Sequence, residues 1–255
     1  MVTTNLNKEF AFVVLSHSKN MSVLVGMLRS FNKKKFTINN SYIIFNDNII
    51  NDIELNGFKP IVIEKSNWKQ EMLDSLKILK SLNYKKIVFY LDDFYLTDSV
   101  NTNLLNHVIE YSFKNDVKYL RLSPSEGSFI KRINDIYCTV LNKNITQVSK
   151  KHKYYFSLQT ALWDIDYLIN TVLKAKDIWN FETLYPGNFH HLETSKKVFT
   201  YRHSVEKNKW KYYTPIIFKK YTNGLLNDKL IEKPFFKYFL VDVFKRIKFF
   251  LFGYL

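Results

Sequence analysis

The chain has 255 residues, 46% hydrophobic and 24% charged, enough apolar material for one packed domain of ordinary size and too much for wholesale disorder. Its net charge of +15 directs attention to polyanions: nucleotide phosphates, an anionic leaflet or nucleic acid. A single cysteine, Cys138, excludes a disulfide framework and a multi-cysteine zinc site and points to a reducing compartment.

The apolar run Phe10 to Leu15 is too short for a signal sequence or a span and reads as a buried strand, so a cytoplasmic protein is expected. Met21 to Phe31 reads as a helix with Val23, Leu24, Met27, Leu28 and Phe31 on one side. Tyr42 to Phe45 is strand-like and ends in the turn cluster Asn46-Asp47-Asn48, and Pro60 to Ile63 is a further short strand. Asn67 to Leu82 is helical, with Ser66 or Asn67 as its cap and Met72, Leu73, Leu76, Leu79 and Leu82 at helical spacing. Ile87 to Leu91 is a buried strand, Thr102 to Phe113 a helix, and Val117 to Leu122 another strand. Beyond it, Ser123 to Lys153 reads as loops with short strands or a short helix. Tyr154 to Trp163 reads as a strand, Ile165 to Leu173 as a helix, and Val198 to Lys211 as a hairpin or extended pair.

Strands alternating with amphipathic helices define the α/β class, with a mainly parallel, Rossmann-like sheet flanked by helices. Ligands of such sheets bind beyond the carboxyl ends of the strands, so residues following the strands are the ones to inspect. Leu91-Asp92-Asp93-Phe94 follows the fourth strand directly. Two adjacent carboxylates repel each other unless a cation shares them. A divalent ion holding a diphosphate is one remedy; a solvated turn that caps the next helix is the other. No HExxH or CxxC spacing occurs, and the six glycines form neither a Walker loop nor GxGxxG.

The passage Lys85 to Phe94 resembles the acidic metal-binding region of GT-A glycosyltransferases, with Leu-Asp-Asp in place of a full Asp-x-Asp. Tyr154 to Trp163 and the later Trp179-Asn180-Phe181-Glu182 resemble sugar transferases of bacterial capsule and lipopolysaccharide clusters. The likeness extends over roughly residues 8 to 212. It implies a GT-A fold, a nucleotide-sugar donor, a glycan or lipid-linked acceptor, and Mn²⁺ or Mg²⁺ as cofactor. It also implies roles. Asp93 and the late His203 are metal ligands. Ser16, His17, Ser18, Asp47, Trp68 and Asp92 line the nucleotide. Glu182 is the general base of an inverting transfer, with Asp164 in reserve or simply capping the helix beside it. Gln159, Trp163 and Trp179 meet the acceptor. Lys207, Lys209 and Lys211 surround Trp210, where they face a leaving diphosphate or form a solvated basic strand.

Residues 1–225 are read as this domain and 226–255 as an appendage. From Pro234 to Leu255 the apolar positions Leu240, Val243, Ile247 and Phe250 oppose Lys237, Lys245, Arg246 and Lys248. Such a basic amphipathic helix lies on the inner face of a plasma membrane or packs on the domain or on a dimer partner. Two rival activities are a sugar nucleotidyltransferase and a nucleic-acid-binding module. The first class carries a glycine-rich loop after the first strand, where this chain has Leu15-Ser16-His17-Ser18-Lys19-Asn20. The second lacks any motif here, and the Asp-Asp pair would repel phosphates without metal.

Overall fold

The computed structural model describes residues 8–46, 54–124, 138–148, 157–184, 190–206, 208–226, Ile231 and Phe244. Its centre is a nine-stranded sheet in the order β3-β2-β1-β4-β9-β6-β10-β8-β7. The strands are β1 (Phe10–Leu15), β2 (Ser41–Phe45), β3 (Lys59–Val62), β4 (Lys86–Leu91), β6 (Tyr119–Arg121), β7 (Cys138–Asn142), β8 (Ile145–Val148), β9 (Ala161–Asp164) and β10 (Leu192–Thr194). β1 to β4 are mutually parallel, and only β8 and β9 run against the rest. The architecture is therefore the mixed α/β, mostly parallel sheet that the strand–helix alternation predicts.

Alternation along the strands fills both faces. Phe10, Phe12 and Val14 of β1, with Val88 and Tyr90 of β4, enter one apolar core. Ala11 and Val13, with Ile87 and Phe89, enter the other. Strands buried on both sides need continuous apolar sequence, and β1 and β4 have it. The first face is covered by α1 (Met21–Lys33) and α3 (Thr102–Lys114), the second by α2 (Trp68–Ser81), α4 (Ile165–Lys174) and α5 (Ile178–Thr183). Asn67 caps α2 by accepting from the Gln70 N–H at 3.0 Å, and Asn101 caps α3 through the Leu104 N–H at 3.1 Å. Each cap meets one backbone donor that a helix start leaves unpaired.

A small second sheet crosses the first core: β5 (Phe94–Leu96) pairs antiparallel with β11 (Tyr201–His203). The segment read as a hairpin or extended pair at Val198 to Lys211 thus divides. Its first part joins β5, and only β12 (Val205–Glu206) with β13 (Lys209–Trp210) forms a hairpin. Two short helices follow, α6 (Thr214–Ile217) and α7 (Lys219–Thr222). Of the strand read at Tyr154 to Trp163, β9 begins only at Ala161, and residues 154–156 lie outside the described ones. The amphipathic helix read at Pro234 to Leu255 also lies outside them, except for Phe244, which is helical and exposed. No helix among the described residues is long and apolar enough to cross a membrane.

Candidate functional site at the carboxyl edge of the sheet

The carboxyl ends of β1, β2 and β4 lie side by side, because their parallel register pairs Leu15 with Ile44 and with Leu91. The residues just beyond them are tied together across the chain. Ser16 Oγ donates to Asp92 Oδ2 at 2.7 Å, and both residues are buried. A buried carboxylate needs such donors to stay charged. The turn after β1 is closed by its own side chains. His17 Nδ1 accepts from the Lys19 N–H at 3.1 Å, and Asn46 Oδ1 accepts from the Ser18 N–H at 3.2 Å. Asn46 Nδ2 in turn donates to Glu71 Oε1 at 3.0 Å, which also accepts from the Ser66 N–H.

Asp93 meets a residue 110 positions later: His203 Nδ1 stands 3.1 Å from Asp93 Oδ2. Backbone pairing produces this contact, since β5 and β11 bring Phe94 opposite His203 and Ser204 N donates to Asp93 O at 2.7 Å. The floor beneath is aromatic. Phe94 stacks on Tyr201 at 4.1 Å, and His203 stands edge-on to Phe94 at 4.6 Å. Burial, with the Asp93 carboxylate adding to it, pushes the Tyr201 hydroxyl up to about 12. Tyr90 beside it is raised by burial first, then by Tyr201 and Asp93.

β9 runs antiparallel beside β4 with Ala161 opposite Phe89, so the turn 157–160 before it comes to this same edge. Glu182 of α5 holds that turn: its Oε1 accepts from the Leu158 N–H at 2.9 Å and from Ser157 Oγ at 3.4 Å. Gln159 is exposed in the turn, and Trp179 stands on α5 with 78% of its surface exposed. Trp68 packs edge-on against Phe181 at 5.7 Å, and its buried indole N–H meets no acceptor among the described residues.

Two expected site residues are elsewhere. Trp163 is no acceptor platform: it is 1% exposed and packs at a tilt against Tyr119 at 4.3 Å and Phe181 at 5.8 Å in the second core. The alternation that points Leu162 into one core points Trp163 into the other. Asp164 pairs in register with Lys86 at the amino end of β4, five residues or about 17 Å from Leu91 at the usual strand rise. There it caps α4 through the Tyr167 N–H and pairs with Lys118 at 3.3 Å and buried Lys86 at 3.5 Å, so it serves as cap and counter-ion, not as a base at the other edge. Phe181, beside Glu182, is fully buried. Asp47 and Lys207 lie outside the described residues. Lys211 pairs with Glu206, and Lys209 is exposed.

Sequence reading overlooked Asn46 and Glu71. Asn46 was visible as a turn former, but nothing local to either residue reports a partner 25 positions away.

A divalent ion fits the Asp93–His203 pair in donor type, one carboxylate oxygen and one imidazole nitrogen already converging. No cluster of three or more metal-binding side chains exists among the described residues.

No protein-family model and no curated protein matches the chain. Among solved structures it is similar to a UDP-glucose pyrophosphorylase complexed with UDP-glucose, at 7% identity over 86% of this chain and 98% of that one, TM-score 0.48. A cytidylyltransferase from Leptospira borgpetersenii is similar at 12% identity over 69% and 68% of the two chains, TM-score 0.40. A third, A197 from STIV, shows 11% identity over 78% and 87%, TM-score 0.39.

Proposed function

We propose that the chain is a nucleotide-sugar-dependent glycosyltransferase whose donor diphosphate lies against Asp93 and His203. The observation that carries this reading is the 3.1 Å approach of His203 to Asp93 at the end of the central strand, beside the buried Ser16–Asp92 pair. Asp92 and Ser16 then face the ribose or sugar, with Trp68 at the start of α2. A bound Mn²⁺ or Mg²⁺ would neutralise charge on the departing diphosphate.

Glu182 is suited to the base role by its asymmetry. Both of its hydrogen bonds fall on Oε1, which fixes the carboxylate and leaves Oε2 to take the proton of the attacking hydroxyl. That hydroxyl oxygen bonds to the sugar's anomeric carbon as the carbon–diphosphate bond breaks, with inversion. Gln159 and exposed Trp179 flank the side from which a glycan or lipid-linked acceptor approaches, in keeping with a place in surface-polysaccharide assembly.

Sugar nucleotidyl transfer shares the nucleotide-sugar ligand but breaks a phosphoanhydride instead. It calls for free backbone N–H groups after the first strand to cradle phosphates. Here those of Ser18, Lys19 and Asn20 are taken by Asn46 Oδ1, His17 Nδ1 and His17 O. Incubating the protein with a panel of nucleotide sugars and Mn²⁺ decides between them. Release of nucleoside diphosphate with the sugar transferred or hydrolysed at its anomeric carbon supports glycosyl transfer. Pyrophosphate-dependent formation of nucleoside triphosphate from the same donors contradicts it.

A further inference from the structure

The end of the described chain carries a surface that the proposed chemistry does not use. In α6 the side chains of Ile216 and Ile217 are 67% and 48% exposed, a large apolar tip for two adjacent residues. Lys219 and Lys220 follow at once in α7 and are exposed, as are Lys209 and Arg202 on the neighbouring strands. The nearby acid Glu206 is engaged by Lys211. An aliphatic tip bordered by cations matches a bilayer bearing negative headgroups: the isoleucines enter the acyl boundary while the lysines meet the phosphates. Single-stranded nucleic acid is matched less well, since its bases seek aromatic faces and the tip is aliphatic.

This surface is fastened to the site. Tyr213 Oη donates to His203 O at 2.6 Å, and Thr214 Oγ1 donates to Ser204 O at 2.7 Å. Ser204 N donates in turn to Asp93 O. Two short hydrogen-bonded steps thus separate α6 from the Asp93–His203 pair.

We infer that α6 and α7 form a docking surface for an anionic membrane, which would hold the nucleotide site proposed above close to that membrane.

The test is co-sedimentation of the full chain with phosphatidylcholine vesicles, with and without phosphatidylglycerol, alongside nucleotide binding by thermal shift. Binding is expected only with phosphatidylglycerol and is expected to fall at least about tenfold in Ile216→Ser/Ile217→Ser and about fivefold for each of Lys219→Ala and Lys220→Ala. The nucleotide response should stay unchanged in these variants, as the residues lie on the surface. Phe244→Ser, within the remaining C-terminal segment, should leave most of the binding. No vesicle binding, equal binding to neutral vesicles, or binding that survives the α6 changes and is lost in Phe244→Ser overturns the inference. Failure of the transferase reading shows separately, as a wild-type chain that docks on vesicles but answers to no nucleotide.

Discussion

At the scale of single residues, Glu182 separates two jobs that a carboxylate can hold. As an anchor it needs one acceptor oxygen for the Leu158 N–H, which a glutamine supplies. As a base it needs a second oxygen that takes a proton, which a glutamine lacks. Glu182→Gln should therefore keep wild-type stability and nucleotide binding yet lose about 10²–10⁴-fold in kcat. Glu182→Ala should lose activity and also loosen the 157–160 turn. Steady-state rates and thermal midpoints of both variants check this; a Glu182→Gln enzyme with near-normal kcat would reduce Glu182 to an anchor. Sequence alone singled out Asp92, Asp93, Ser16 and Glu182 as candidates because each follows a recognisable strand or sits in a recognisable motif. It misjudged Trp163, whose side of the strand depends on where β9 inserts. Of its two readings of Asp164, reserve base or cap of the helix beside it, the cap is the one the structure shows, and its place at the amino edge follows from the antiparallel direction of β9. Neither fact has a local signal.

At the scale of elements, helices were the most legible feature, since the 3.6-residue repeat of buried positions in α1, α2 and α3 is written into the chain. The pairing of β5 with β11, which builds the Asp93–His203 contact, joins segments about a hundred residues apart and could not be read from periodicity. Helix α1 records another long-range constraint in Gly26. A Cβ there would lie 1.9 Å from the hydroxyl and 2.4 Å from the Cζ of Tyr95, a fully buried ring whose hydroxyl donates to Val23 O at 2.9 Å. Alanine is favoured over glycine inside a helix by about 1 kcal/mol, but overpacking costs about 1–3 kcal/mol. Gly26→Ala is thus expected to destabilise, read as a lower urea midpoint with an unchanged slope. A stabilised variant would mean that Tyr95 moves aside freely.

At the scale of the whole molecule, the two edges of the sheet carry different electrostatics. The carboxyl edge gathers Asp92, Asp93 and His203. The amino edge neutralises Lys86 and Lys118 with Asp164 and Asp116, and burial there lowers the Lys86 ammonium against the pull of Asp164. The interior between them is rich in tyrosines held neutral. Burial raises Tyr84, Tyr90, Tyr119 and Tyr201, the last to about 12. A raised acid binds its proton more tightly folded than unfolded, so its contribution is whole below the ordinary tyrosine value of about 10 and declines as pH climbs toward 12. Stability should be lost across that interval, with tyrosinate absorbance from these residues appearing only as the chain unfolds. Tyrosinate that forms fully in the folded state at pH 10–11 would contradict the burial assigned to them.

The proposed function rests on a nucleotide and a divalent ion meeting at Asp93 and His203. Calorimetric titration with UDP, GDP, CMP and dTDP, with and without Mn²⁺, in the wild type, Asp93→Ala and His203→Ala, tests this most directly. The account predicts that one nucleotide binds, that Mn²⁺ strengthens it at least about tenfold, and that both substitutions abolish the gain while the fold persists. Nucleotide binding that ignores the metal and both substitutions, or no binding of any nucleotide, would contradict it.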